Sequence, residues 1–155
     1  MIRFAQVEDI PVILDFIKEL AAYEKMSDQV VATEAILKTS LFDKKQAEVI
    51  FKEDQGQVVG FALFFHNFST FLGKANLYLE DLYVKEAYRG RGHGKDLLKA
   101  LAKIALERDC GRLDWVCLKW NQPSIDFYKS LGAKPLEEWM IFRLEDQALV
   151  DMANT

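Results

Sequence analysis

The sequence predicts one mixed α/β domain, a mostly antiparallel sheet flanked by helices, on three observations. The hydrophobic period changes from helical to β-rich near Ala47 and back to helical near Lys95. Three β-rich runs between those points are separated only by short polar turns, which makes an antiparallel meander. The next strand comes only after a long amphipathic helix, the connection that a parallel neighbour requires. With 155 residues, half of them hydrophobic, the chain can bury one real core. No linker, repeat or low-complexity stretch divides it, so a single domain over 1–155 is expected.

Ile2 to Phe4 reads as a first strand, and Ile10, Ile13, Leu14, Ile17 and Ala21 then recur at helical spacing, with Pro11 suited to the first turn. Thr33 can cap a second, shorter helix carrying Ile36, Leu37 and Leu41. Val49–Phe51 and Val58–Phe65 flank a polar turn and form a hairpin, and Asn76–Val84 completes the meander. The following helix carries Leu97, Leu98, Leu101, Ala102, Ile104 and Ala105 on one face and ends at Asp109-Cys110-Gly111. Leu113–Leu118 is the next strand. A helix from Pro123 to Gly132 presents Ile125, Tyr128 and Leu131, Met140–Leu144 is expected to close the sheet, and Glu145–Thr155 to form a short helix.

Composition narrows the function. A net charge of -4 argues against nonspecific nucleic-acid binding and, weakly, favours cationic small molecules. Cys110 and Cys117 have neither CxxC spacing nor nearby histidines, so no metal site and no disulfide framework is indicated. His66 and His93 have no acidic or cysteine partner in sequence and read as surface residues. Without a basic leader or an apolar run approaching about 18 residues, a cytoplasmic protein with no membrane contact is expected.

Arg89-Gly90-Arg91-Gly92-His93-Gly94 stands between a strand and a helix. Its glycines let the backbone bend and come close to a ligand, the first amides of the helix lack internal partners, and Arg89 and Arg91 add charge. Such a turn can hold a phosphate, although a solvated Gly-rich connection would look similar. A Walker loop is excluded, because Gly94-Lys95 is followed by Asp96 and position 89 is not glycine. The dinucleotide fingerprint GxGxxG fails at its third glycine, where Lys95 stands. The pattern that fits is Arg-x-x-Gly-x-Gly at Arg89, Gly92 and Gly94.

That pattern, in this strand-turn-helix setting, resembles the pyrophosphate loop of the GNAT superfamily of N-acetyltransferases. The resemblance extends to Tyr78–Val84, to Tyr88–Gly94, to Trp120–Ala133 and to Leu20–Met26, so it covers nearly the whole chain. Within the superfamily these segments resemble the diamine branch of spermidine/spermine and thialysine acetyltransferases. It implies a GNAT-like sheet whose parallel pair splays around acetyl-CoA, a homodimer, and a small cationic amine as partner.

The resemblance also implies site residues. Acetyl transfer needs a neutral amine, and a lysine-like amine is neutral to only about one part in a thousand at pH 7, so a base is required. Glu80 matches it; the period of 2 puts it on one face with Tyr78, Leu82 and Val84, where partial desolvation would raise its pKa. Pairing with an arginine is the alternative role. Glu80 and the adjacent Asp81 can serve one site only if the strand bulges. Tyr128 matches the general acid at the leaving sulfur, although a tyrosine between Ile125 and Leu131 also suits a core. Leu82, Tyr83 and Val84 would bind the pantetheine arm, Arg89, Gly90, Arg91, Gly92, His93, Gly94 and Lys95 the pyrophosphate, and Asn121, Ser124 and Tyr128 the cofactor beyond it. Tyr23, Glu24, Glu80, Asp81 and Glu138 would face the amine. Asn67–Phe71 lacks the acid and tryptophan expected of polyamine enzymes, which weakens spermine as the substrate. A protein or peptide N-acetyltransferase and an inactive CoA-binding regulatory module are the other readings.

Overall fold

A computed structural model describes residues 1–155. One sheet runs in the order β1 (Ile2–Phe4), β2 (Glu48–Asp54), β3 (Gln57–Ser69), β4 (Lys74–Val84) and β5 (Leu113–Trp115). The first four strands pair antiparallel and β4 with β5 parallel, as the periods and the connecting helix predict. Packing divides the chain into two compact units. Met1–Val116 holds the sheet with α1 (Ile10–Tyr23), α2 (Glu34–Leu37) and α3 (His93–Glu107); Cys117–Thr155 holds α4 (Gln122–Ser130) and α5 (Asp146–Ala153). No helix is long and apolar enough to cross a membrane.

In the first unit, α1 begins with Pro11 in its first turn and ends where Lys25 takes a left-handed φ of 61°. Its buried Ile13 and Phe16 meet Val49, Phe51, Phe61 and Tyr83 on one face of the sheet. The Phe16 ring stacks on Phe61 with centroids 4.9 Å apart, and burying such a side chain contributes about 2–3 kcal/mol. Thr33 caps α2 as expected, its Oγ1 accepting from the Ile36 amide at 3.2 Å. The helix then widens into a π-helical stretch, Lys38–Asp43, which the periodicity did not signal.

Gln55 and Gly56 both have positive φ, 51° and 78°, the conformation of a two-residue type I′ hairpin turn between β2 and β3. Gly60 and Phe61, adjacent in β3, face opposite sides, so α3 covers the side away from α1. A Cβ on Gly60 would lie 3.1 Å from the Tyr83 carbonyl and 3.2 Å from Leu97, so the glycine lets α3 pack closely on β3. Beyond α3 the chain turns at Asp109, which takes a left-handed φ of 54°.

Two strand expectations need correction. The fifth strand stops at Trp115 rather than Leu118, and Met140–Leu144 forms no strand. Trp139, Met140, Ile141 and Phe142 are 73–87% exposed, and their backbone joins no ladder. β-rich composition becomes a strand only against a partner edge and a packed face, and this stretch has neither.

Candidate active site

β4 changes character at Glu80. Its parallel ladder with β5 runs Leu77↔Leu113, Tyr78↔Asp114 and Leu79↔Trp115 and then ends, while β4 continues to Val84 with β3 alone. At the same point the antiparallel register passes from Leu63↔Asp81 to Phe64↔Leu79, which leaves Glu80 as the extra residue of a β-bulge. The bulge breaks the strict alternation from which the face of Glu80 was read. Asp81 and Tyr83 instead share the register of Leu63 and Phe61, on the α1 side.

Three carboxylates gather there. Burial, then the neighbouring Glu80 and Glu24, push the Asp81 carboxyl up to about 7. Burial and Glu80 also raise Glu24, which caps the C-terminus of α1. Glu80 is the exposed member of the three. The desolvation that the sequence assigns to Glu80 therefore falls on Asp81, a residue whose position beside a bulge is set by the cross-strand register. Burial and Glu80 likewise raise the Tyr78 phenol.

The glycine loop closes onto the start of α3. Gly90 and Gly92 have φ of 78° and 84°, and nothing lies within 4 Å of a Cβ built on either. Gly92 is the N-cap, and the ladder of α3 begins with the Asp96 amide donating to its carbonyl, so the amides of His93, Gly94 and Lys95 have no helical partner. Asp96 would oppose an anion here, but Lys52 Nζ pairs with it at 2.9 Å and lowers its pKa. His93 is buried, at 8% exposure, which corrects its reading as a surface residue. Neither ring nitrogen has a hydrogen-bond partner, and the Asp54 carboxylate lies 3.5 Å from Nε2. His66 is exposed, as expected.

The two arginines of the loop are used differently. Arg91 lies over the Tyr88 ring, 5.5 Å from its centroid. Arg89 donates from Nε to the Val84 carbonyl at 2.9 Å, and its guanidinium lies over the rings of both Tyr23 and Tyr83. Tyr23, Glu24, Glu80, Asp81, Leu82, Tyr83, Val84 and the whole loop thus belong to the first unit. Asn121, Ser124, Tyr128 and Glu138 belong to the second. There Asn121 caps α4, its Oδ1 accepting from the Ser124 amide at 3.4 Å, and Pro123 occupies the first turn. Tyr128 is half-buried with its ring 5.6 Å from that of Phe127, and Glu138 is exposed.

A strand that loses its parallel partner beside a bulge, followed by left-handed glycines at a helix start, is the arrangement that the resemblance implies. Residues 14–133 match the model of the Acetyltransferase (GNAT) family. The chain belongs to the GNAT family. It is 42% identical to a thialysine N-epsilon-acetyltransferase of Bos taurus, over 99% of this chain and 97% of that one. It is 39% identical to a spermidine/spermine N(1)-acetyltransferase-like protein of Homo sapiens, over 98% of this chain and 23% of that longer one. Among solved structures, an integron cassette protein from the mobile metagenome of V. cholerae superposes with a TM-score of 0.83 at 29% identity, covering 100% of this chain and 98% of that one. These relatives make the GNAT chain an N-acetyltransferase with kin in the diamine branch.

Proposed function

We propose that the chain transfers acetyl from acetyl-CoA to a primary amine of a small diamine, polyamine or thialysine-like amino acid, by direct attack of the amine on the thioester. The carrying observation is the bulge at Glu80, which gathers Glu24, Glu80 and Asp81 where β4 leaves its parallel partner. An ammonium group suits such a cluster, because each carboxylate offers it a charge-assisted hydrogen bond. The loop fits the cosubstrate as well: open space above Gly90 and Gly92 and unpaired amides at the start of α3 suit a pyrophosphate.

Acetyl-CoA, when bound, supplies the activated acetyl group and the thiol leaving group. In this reading Glu24 and Asp81 hold the cationic amine, and Glu80, exposed at the bulge, takes its proton through a water. The backbone of Leu82, Tyr83 and Val84 binds the pantetheine arm along the strand edge that β5 leaves open, through the alternate groups that point away from β3. Gly90, Arg91, Gly92, His93, Gly94 and Lys95 form the phosphate cradle, Asn121 and Ser124 bind the cofactor from α4, and the Tyr128 hydroxyl holds the proton that the departing thiol takes. Glu138 joins the amine side. The family match runs through both units, which supports one catalytic domain; a homodimer and a cytoplasmic location belong to the same reading.

The hairpin end favours compact amines. Between Asn67 and Gly73 the chain carries exposed Phe68 and Phe71 and no carboxylate, so the far ammonium of a long polyamine lacks a partner there. Release of free CoA from acetyl-CoA is to be measured against a panel of thialysine, lysine, short diamines, spermine and peptides. Turnover of the compact amines is expected. Turnover of peptides alone would assign the protein-acetylating alternative, and binding of acetyl-CoA with no amine turned over between about pH 6 and 9 would leave the regulatory module.

A further inference from the structure

We propose that Arg89 is a positioning residue that couples the two substrate sites: its guanidinium ties the phosphate loop to the end of α1 that bears Glu24. The inference rests on the reading above, in which the loop takes acetyl-CoA and the carboxylates take the amine. It differs from the sequence expectation, in which Arg89 simply adds charge at the pyrophosphate.

Three contacts from two elements, β4 and α1, converge on this one side chain. Nε donates to the carbonyl of Val84, the last residue of β4, at 2.9 Å. The guanidinium carbon lies 5.2 Å from the ring centroid of Tyr23, the last residue of α1, and 5.1 Å from that of Tyr83 in β4. Tyr83 itself meets Phe16 of α1 edge-on, with centroids 6.2 Å apart, and Lys85 Nζ lies 5.5 Å over the same Phe16 ring. The start of the loop, the end of β4 and the end of α1 therefore meet at Arg89. Glu24 follows Tyr23 directly and is the C-cap of that helix. Moving the ring of Tyr23 moves the attachment point of Glu24.

Arg91 is the internal control. It stands in the same loop two residues on, yet its stacking partner is Tyr88, a residue of the same connection, whose hydroxyl donates to Gln57 at 2.8 Å. Its contacts reach neither α1 nor the carboxylates, so only Arg89 bridges the two sides. The chemistry of the bridge demands arginine. A planar guanidinium can lay its faces on two rings while Nε bonds in its own plane, whereas a lysine ammonium supplies charge without that geometry. At an exposed position each stacked ring is worth about a two- to fivefold change in an equilibrium constant.

The test measures CoA affinity by titration calorimetry on the full chain with Arg89→Lys, Arg89→Ala, Tyr23→Leu, Tyr23→Phe and the Arg89→Ala/Tyr23→Leu double variant, each checked for folding by thermal unfolding. Tyr23→Leu is expected to weaken CoA binding about two- to fivefold, Tyr23→Phe, which keeps the ring, by less than about twofold. Arg89→Lys should fall with Arg89→Ala, and the double variant should be no weaker than Arg89→Ala alone. At saturating acetyl-CoA, Arg89→Ala should also raise the amine KM by about two- to fivefold. Wild-type CoA affinity in Arg89→Lys, an unchanged affinity in Tyr23→Leu, or an unchanged amine KM in Arg89→Ala would each overturn the coupling. The CoA arm needs no turnover, so a chain that acetylates no amine would defeat the functional reading while the role of Arg89 is still decided.

Discussion

The two halves of β4 are held by different forces. From Lys74 to Leu79 the strand pairs with β3 and then also with β5, and Leu77 and Leu79 are 0% and 2% exposed. From Glu80 to Val84 it has only β3, opens with a bulge and carries the carboxylates. The first half contributes burial and two ladders to stability. The second leaves one strand edge unpaired and keeps Asp81 partly desolvated, which costs stability and, in the proposed function, serves the ligand and the chemistry. One strand thus separates scaffold from the proposed site at Glu80, just past the last residue that pairs with β5.

The comparison breaks most sharply if chemistry can be removed with both halves intact. Tyr128→Phe, in the second unit, is expected to lower turnover by about 10²- to 10³-fold while CoA affinity stays within about twofold. Equal loss of folding and activity would make Tyr128 a core residue. In the scaffold half, Leu77→Ala should cost about 2–4 kcal/mol in chemical denaturation and leave the kcat/KM of the folded fraction near wild type. A large change in kcat/KM would mean that the halves are not separable.

Gly92→Ala forces a non-glycine residue into φ 84°, at about 1–2 kcal/mol, and should raise the Kd for acetyl-CoA roughly tenfold with little change in kcat. The smallest expected effect is on Asp81. Burial raises its folded pKa from 3.8 to about 7, so the stability linked to its proton is complete below 3.8 and is lost as pH rises through about 7. Asp81→Asn should therefore stabilise the chain relative to wild type at pH 8, on the order of 1–2 kcal/mol after solvent screening, and hardly at all at pH 4. In the wild type the amine KM should fall as pH rises through about 7, because ionised Asp81 adds a charge, and the variant should lose that dependence.

What the sequence made legible was periodic or local. The meander, α3, the Thr33 cap and the glycine loop at the start of α3 all follow from spacing or from residue type. The bulge was foreseen as a condition for Glu80 and Asp81 to act together, but which carboxyl it would bury depends on the facing residues Leu63 and Phe64, some 17 positions away in the chain. The burial of His93 is hidden from the sequence for the same reason, since Asp54, 3.5 Å from its Nε2, lies at the end of β2. Met140–Leu144 has the residues of a strand without an edge to join. Arg89 shows in the sequence only as a charge, and its partners Tyr23 and Tyr83 are brought to it by the packing of α1 on the sheet.

The claim that chemistry begins at Glu80 is tested most directly by the pH–rate profile of Glu80→Gln with an amine that the wild type acetylates. A loss of rate that is greatest at low pH, where neutral amine is scarcest, is predicted, with CoA affinity and unfolding midpoint close to wild type. A variant whose profile has the shape and height of the wild type would remove Glu80 as the base and contradict the account.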